Sequence, residues 1–183
     1  MPEAICEEKP KAESTERSDR QAPLRVCFVC TGNTCRSPMA EAVANALAER
    51  ELAPIPPSVR ACATHRLEAC SAGLYASLGD PITAHAVKAL EAAEVEAVEG
   101  HDYHLHTAHT VTAGDVETAD ILVGMSASHV MELLLRFPAA AQRITVMPKA
   151  VSDPFGGDLA RYAQCLEEIT EGVRCLLFLE DET

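Results

Sequence analysis

Residues 24–42 read "LRVCFVCTGNTCRSPMAEA" and carry three local signals in succession. The first seven residues form a short apolar run, which is typical of a strand covered on both faces. A polar loop follows at 31–36, and the apolar residues after the loop recur at helical spacing. Pro38 suits the first turn of a helix, where its missing N–H costs nothing. The stretch therefore predicts a buried strand, a tight loop and a helix.

The same alternation of strand and helix continues along the chain. Short apolar runs predict three further strands, at 67–73, 120–125 and 143–148. Apolar residues at steps of three and four predict helices at 82–94, 111–119, 126–137 (with Ser126 as N-cap) and from Leu159 to Leu176. This pattern predicts an α/β fold, a three-layer doubly wound parallel sheet with helices on both faces. Ligands of such sheets bind beyond the carboxyl ends of the strands, where the loop at 31–36 lies.

The ends and loops of the chain differ from this pattern. Residues 1–23 mix charges with Ser, Thr and Pro, so we expect a disordered tail, with one domain over 24–183. Residues 53–58 and 101–109 are predicted loops, and the second, "HDYHLHTAH", contains four histidines. Because no cysteine or carboxylate partner is evident, a solvated loop near the rim of the site is favoured over a metal site.

Composition limits the partners. A formal charge of −13 and a pI near 4.9 argue against binding to nucleic acid or to an anionic membrane. No apolar run approaches the roughly 18 residues of a membrane helix, and the first 23 residues lack a secretory signal, so a cytoplasmic location is expected. The eight cysteines are therefore expected to be mostly buried apolar residues and not a disulfide framework.

The loop at 31–36 has the features of an anion site. Backbone N–H groups of a strand-to-helix loop, together with the N-terminus of the helix, attract an oxyanion. Gly32 and Asn33 both tolerate left-handed backbone, which helps a tight loop to close. Arg36 offers a planar clamp for phosphate oxygens. Cys30 lies at the base of this cradle, where a helix N-terminus and a guanidinium favour a thiolate that can attack phosphorus.

The spacing of the cysteines and the composition of the loop allow two other interpretations, a redox or metal site and a nucleotide-binding loop. Cys27 and Cys30 form a C-x2-C pair, which is found in thioredoxin-like sites and in zinc sites. Cys27 lies inside the apolar run, however, and no second pair completes a metal set, so no metal or other cofactor is predicted. A nucleotide-binding loop is excluded because the chain has no G-x4-G-K-[ST] motif.

The segment "VCTGNTCRSPMAEA" resembles the C-x5-R-S signature of the low-molecular-weight protein tyrosine phosphatase family. The later "SAG" (71–73), "AHAVKAL" (84–90) and "DPFGG" (153–157) are similar to family landmarks in the same order. The resemblance implies a sheet of four parallel strands and a phosphorylated protein as substrate. It also implies a nucleophile, Cys30, a phosphate clamp, Arg36, and a general acid, Asp153. The substrate- and phosphate-binding residues that it implies are Thr31, Gly32, Asn33, Thr34, Cys35, Ser37 and Phe155.

Asp153 also fits this role on chemical grounds. It follows the last predicted strand, so it can reach the same edge of the sheet as Cys30. A carboxylic acid can protonate a leaving group and then accept a proton from water. An isolated Asp-Pro is by itself typical of a turn.

Two features resemble the protein-arginine phosphatase branch of the family. Thr34 stands where tyrosine phosphatases usually carry an apolar residue, and Phe155 is followed by two glycines instead of a second aromatic. The sequence therefore favours hydrolysis of phosphoarginine in proteins over hydrolysis of phosphotyrosine. A non-catalytic phospho-residue binding module is the remaining alternative, and arsenate reductase is disfavoured because no further cysteine pair is suitably placed.

Cys35 is expected to form a reversible disulfide with an oxidised Cys30. The sequence does not predict an oligomeric state.

Overall fold

The computed structural model describes residues 23–52 and 67–177. The strands are β1 (Leu24–Cys30), β2 (Leu67–Gly73), β3 (Ile121–Gly124) and β4 (Ile144–Val146). The helices are α1 (Arg36–Leu52), α2 (Ala84–Ala92), α3 (Ala113–Thr118), α4 (Ala127–Arg136) and α5 (Leu159–Leu177), with 3-10 helices at Tyr103–Leu105 and Pro138–Arg143. No helix in these two ranges is long and apolar enough to cross a membrane.

The four strands form one sheet in the order β2-β1-β3-β4, and every pairing is parallel. The predicted four-stranded α/β fold is confirmed. Cys30, the last residue of β1, pairs with Gly73 at the end of β2. A Cβ at Gly73 would lie 2.9 Å from the carbonyl oxygen of Thr31, so only glycine permits this close approach. The carboxyl ends of β1 and β2 therefore meet directly beneath the loop that follows Cys30.

Side chains of β1 alternate between two apolar cores. Val26 and Phe28 are fully buried in the core that contains residues of α1, α2 and α5. Cys27 and Val29 lie in the core on the opposite face, with residues of α3 and α4. Burying a large apolar side chain stabilises a fold by about 1.5–3 kcal/mol. Both faces of β1 are thus anchored, and the loop after Cys30 starts from a fixed point.

Several details differ from the sequence prediction. Leu159 is 41% exposed because it begins α5, whose buried face starts at Tyr162. The segment 101–109 is not simply solvated, since Tyr103 is only 6% exposed. Ser126 is the N-cap residue of α4, but its hydroxyl makes no capping hydrogen bond. The predicted loop at 53–58 lies outside the described residues, as does all of the predicted tail except residue 23.

Candidate active site

Asn33 sets the shape of the loop between β1 and α1. Its φ angle of 54° lies in the left-handed region, which asparagine tolerates better than most residues. Gly32 also tolerates this conformation but does not adopt it, since it is not among the residues with positive φ. Asn33 is also completely buried, so the turn is enclosed by the protein.

The buried amide of Asn33 is fully hydrogen-bonded by residues from distant segments. Its Nδ2 donates to Ser37 Oγ (3.1 Å) and to Ser71 Oγ (2.9 Å). Its Oδ1 accepts from the backbone N–H of His109 (3.0 Å). The backbone carbonyl oxygen of Asn33 accepts from His106 Nε2 (2.8 Å). A satisfied buried network of this kind rigidifies the residues that it joins. The loop is therefore preformed.

Cys30 lies at the base of the loop with two groups hydrogen-bonded to its sulfur. Its Sγ is 3.0 Å from Ser37 Oγ and 3.3 Å from the backbone nitrogen of Asn33. The side chain is 3% exposed, and α1 begins at Arg36, so the positive end of the helix dipole lies beside it. The helix N-terminus and the hydrogen bond from Asn33 N are both suited to stabilise negative charge that develops at this position.

Arg36 and Asp153 meet across the mouth of the loop. Arg36 Nη2 donates to Asp153 Oδ2 at 2.8 Å, although 117 residues separate the two in sequence. The side chain of Arg36 is 9% exposed, whereas that of Asp153 is 54% exposed. The buried Nε of Arg36 has no partner within the described residues. Because an unpaired buried donor is costly, this N–H is suited to an oxygen of a bound anion.

A tight turn carries the Asp153 carboxylate. Gly157 N donates to the carbonyl oxygen of Pro154 (2.9 Å), and Gly156 has a φ of 75°, which favours glycine. Asp153 Oδ1 accepts from the backbone N–H of Phe155 (3.2 Å). The phenyl ring of Phe155 is 75% exposed and is available at the rim. The left-handed backbone of Gly156 and the hydrogen bond from Gly157 thus fix the shape of the turn.

Thr34 and Cys35 are neighbours in the loop, with Thr34 Oγ1 3.7 Å from Cys35 Sγ, but they differ in exposure. Thr34 is partly exposed, and its carbonyl oxygen accepts a hydrogen bond from Thr83 N (2.8 Å). The thiol of Cys35 is buried and lies 3.3 Å from the hydroxyl of Tyr162. Burial, and then the bond to Cys35, raise the pKa of Tyr162 to about 12, so its hydroxyl stays protonated. Disulfide formation by Cys35 stays a prediction.

His129 is a residue of the site that sequence reasoning missed. Its Nε2 is 3.0 Å from Thr31 Oγ1, and its Nδ1 is 2.8 Å from Ser126 Oγ. Burial, and then the charge of Arg36, lower the pKa of His129 to about 4, so the ring is neutral near pH 7. The segment "SASH" directly follows β3, and its place at the carboxyl edge was the available signal.

The histidines of segment 101–109 have carboxylate partners that the sequence did not reveal. His104 Nδ1 is 2.8 Å from Asp102 Oδ1, and His109 Nε2 is 3.4 Å from Asp115 Oδ1. The bond to Asp102 raises the pKa of His104. Over 23–52 and 67–177, no group of three His, Cys, Asp or Glu side chains is arranged to hold a metal ion.

Comparisons with known proteins agree with this geometry. Residues 25–182 match the family model for low molecular weight phosphotyrosine protein phosphatase. A protein-arginine-phosphatase from Bacillus subtilis is 34% identical over 84% of this chain and 94% of its own length. The low molecular weight protein-tyrosine-phosphatase PtpB of Staphylococcus aureus is 29% identical over 86% of this chain and 98% of its own.

Solved structures agree as well. The low molecular weight protein tyrosine phosphatase of T. tengcongensis superposes with a TM-score of 0.71 at 32% identity, covering 85% of this chain and 98% of that one. A cysteine-to-serine mutant of the arginine phosphatase YwlE, with a phosphorylated active site serine, superposes with a TM-score of 0.70 at 30% identity. The match covers 86% of this chain and 97% of that one. The chain is a phosphatase and belongs to the low molecular weight phosphotyrosine protein phosphatase family.

Proposed function

We propose that this phosphatase hydrolyses phosphoarginine in proteins through a cysteinyl-phosphate intermediate. One observation carries the mechanism: the Cys30 sulfur is hydrogen-bonded to Ser37 Oγ and to Asn33 N in a preformed loop whose mouth is closed by the Arg36–Asp153 pair. A nucleophile, an anion clamp and a carboxyl group therefore lie at one edge of the sheet. A module that only binds phospho-residues has no need of the nucleophile or of the acid.

In the first step the Cys30 thiolate attacks phosphorus, and the bond from phosphorus to the guanidinium nitrogen breaks. That nitrogen keeps the electron pair of the broken bond and takes the proton of Asp153, so the arginine side chain leaves as a guanidinium. Backbone N–H groups of the loop, from Thr31 to Cys35, and the guanidinium of Arg36 stabilise the charge on the transferring oxygens. The Nε of Arg36, which has no protein partner in the described residues, is a donor for this purpose.

In the second step water attacks the phosphorus of phospho-Cys30. The Asp153 carboxylate takes a proton from the water, the sulfur–phosphorus bond breaks, and orthophosphate leaves. The hydroxyl of Ser37 lies at hydrogen-bond distance from the Cys30 sulfur, so it can stabilise the negative charge of the departing thiolate. The YwlE mutant with a phosphorylated active site serine supports a covalent phosphoenzyme in a related protein.

The preference for phosphoarginine rests on Thr34 and on the relatives. Two relatives, at 34% and 31% identity, are named protein-arginine-phosphatase. Thr34 is partly exposed on the loop, so its hydroxyl can contact a guanidinium, whereas a phenol ring gains less apolar contact there. Phosphotyrosine is the second candidate substrate, because tyrosine phosphatases are also among the relatives.

The deciding experiment compares kcat/KM for matched phosphoarginine and phosphotyrosine peptides in the wild type and in Thr34→Ile. We expect the wild type to prefer phosphoarginine and the substitution to move the ratio toward phosphotyrosine by roughly 10–200-fold, the range typical of a small apolar contact. Thr118→Ile on α3 is the matched control and should leave the ratio unchanged. A wild-type preference for phosphotyrosine would contradict the proposal.

A further inference from the structure

Two cysteines outside the site described above face each other across β1 and β2. Cys27 and Cys70 are register partners in this parallel pair of strands. Neighbouring strands lie about 4.7–4.9 Å apart, inside the Cα separation of about 4.4–6.8 Å that a disulfide requires. As register partners in a parallel pair, the two side chains lie on the same face of the sheet, and each thiol influences the charge of the other.

The two thiols differ in exposure and in charge. Cys27 is 1% exposed, whereas Cys70 is exposed on the edge strand. Four of the six described cysteines are buried, as expected, and Cys70 is an exception. Interaction between the two thiols raises the pKa of Cys27 well above its ordinary value and lowers the pKa of Cys70, although burial and Glu41 oppose the lowering at Cys70. Cys70 is thus the more reactive thiol, and it is accessible to a small oxidant.

We propose that Cys27 and Cys70 are a peroxide-responsive redox pair, separate from Cys30, whose disulfide weakens anion binding at the active-site loop. The Cys70 thiolate attacks one oxygen of hydrogen peroxide, the O–O bond breaks, and a sulfenic acid and hydroxide form. The Cys27 sulfur then attacks the Cys70 sulfur, the S–O bond breaks, and the Cys27 proton leaves with that hydroxyl group as water. The two thiols lose two electrons, which reduce one peroxide to two waters.

The link to the loop runs through the neighbours of both cysteines. Ser71 directly follows Cys70, and its Oγ accepts from Asn33 Nδ2 at 2.9 Å. Cys27 lies on the same strand as Cys30, three residues earlier. Although the Cα separation already suits a disulfide, the bond also needs the two Cβ atoms about 3.5–4.5 Å apart, closer than the strand spacing. The strands must therefore shift locally, which moves Ser71 relative to Asn33. A change in that contact alters the hydrogen bonding of Asn33, the residue that holds the loop in shape.

The test uses the full-length Cys30→Ser protein, in which the nucleophile cannot be oxidised. The protein is treated with hydrogen peroxide, its free thiols are blocked, and non-reduced peptides are mapped by mass spectrometry. Affinity for inorganic phosphate is measured before oxidation, after it, and after dithiothreitol. Cys70→Ser in the same background removes the reactive thiol, and Cys175→Ser is the matched control at another cysteine that is accessible in part.

We expect a peptide that joins Cys27 to Cys70, a phosphate affinity at least a few-fold lower after oxidation, and recovery with dithiothreitol. Both effects should vanish in Cys70→Ser and persist in Cys175→Ser. Absence of the joined peptide overturns the proposal, and so does a joined peptide with unchanged phosphate affinity. Because the affinity measurement rests on the proposed function, reduced protein that fails to bind phosphate would contradict that function instead.

Discussion

The two halves of the active site are built in opposite ways. The loop from Cys30 to Ser37 is held by buried side chains, with Asn33 bonded to residues from β2 and from the segment at 101–109. The turn at 153–157 lies at the surface, where the Asp153 carboxylate is half exposed and Phe155 is largely exposed. One half is enclosed by the fold, and the other half touches it at a few points.

This difference matches what the two halves must do. Donors that stabilise a transferring phosphoryl group act best when they are already in place, because no reorganisation is then needed during the reaction. A general acid that later acts as a base must meet both the leaving group and water, so exposure suits it. The comparison predicts that substitutions in the turn change activity alone, whereas substitutions in the loop change activity and stability together.

The largest effect that separates the two halves is expected for Asp153→Asn. Loss of the acid should lower kcat on a phosphoarginine peptide by about 10²–10⁴-fold. The free energy of unfolding should change by less than about 1 kcal/mol, since Asp153 is half exposed and an asparagine there can still accept a hydrogen bond from Arg36. Steady-state kinetics and urea denaturation measure the two quantities. Asp158→Asn, which removes a charge from the same segment, is the control and should keep its activity.

The loss with Asp153→Asn should also depend on the leaving group. Para-nitrophenyl phosphate releases a phenolate that needs little protonation, so its hydrolysis should fall by a smaller factor. Equal losses on the two substrates would mean that Asp153 acts only as a partner of Arg36.

Asn33→Ala should damage both activity and stability. The substitution leaves several buried groups unpaired, which costs about 1–3 kcal/mol each, and it places alanine in left-handed backbone. We expect kcat/KM to fall by about 10²-fold, the scale for losing one preorganised donor, and unfolding to occur at clearly lower urea concentration. The matched control is Asn45→Ala, because Asn45 is a buried asparagine that bonds Ala69 N (2.9 Å) and Ala69 O (3.0 Å) away from the loop.

Asn45→Ala should therefore lose stability without losing activity per folded molecule. If Asn33→Ala and Asn45→Ala behaved alike in both assays, the loop would have no special dependence on Asn33. The assays are run well below the unfolding temperature of each variant, so that the folded fraction is the same.

The smallest effect concerns His129 and acid stability. Its folded-state pKa of about 4 lies below the ordinary 6.5, so the unfolded chain takes up a proton first as the pH falls. This group's contribution to stability is present above about pH 6.5 and is lost between there and about pH 4. His129→Gln should lose about 1 kcal/mol less stability than the wild type between pH 7 and pH 5.

A histidine with the opposite shift provides the control for His129. Hydrogen bonding to Asp102 raises the pKa of His104, so its contribution to stability is present at low pH and is lost as the pH rises. His104→Gln should consequently be more sensitive to acid than the wild type, and His129→Gln less sensitive. Identical pH dependence in His129→Gln and the wild type, measured by urea denaturation, would contradict a neutral buried ring.

The contrast between the two halves also explains what the sequence reveals. Cys30, Arg36 and Ser37 lie within eight consecutive residues, so one motif was sufficient to predict their roles. Apolar periodicity was sufficient to predict the parallel sheet. The supporting contacts join distant segments: His129 lies 98 residues from Thr31, and His106 lies 73 residues from Asn33. Local patterns carry no information on such pairings. The sequence places His129 at the carboxyl edge of the sheet, but only the folded chain shows which residue it contacts.

Rapid-quench labelling tests the central claim most directly. Enzyme is mixed with a protein substrate that carries labelled phosphoarginine, the reaction is stopped within one turnover, and the label is located by peptide mapping. The account predicts label on the Cys30 thiol in the wild type and a loss of turnover of about 10⁴-fold or more in Cys30→Ser. Undiminished hydrolysis by Cys30→Ser, or turnover with no label ever found on Cys30, would contradict it.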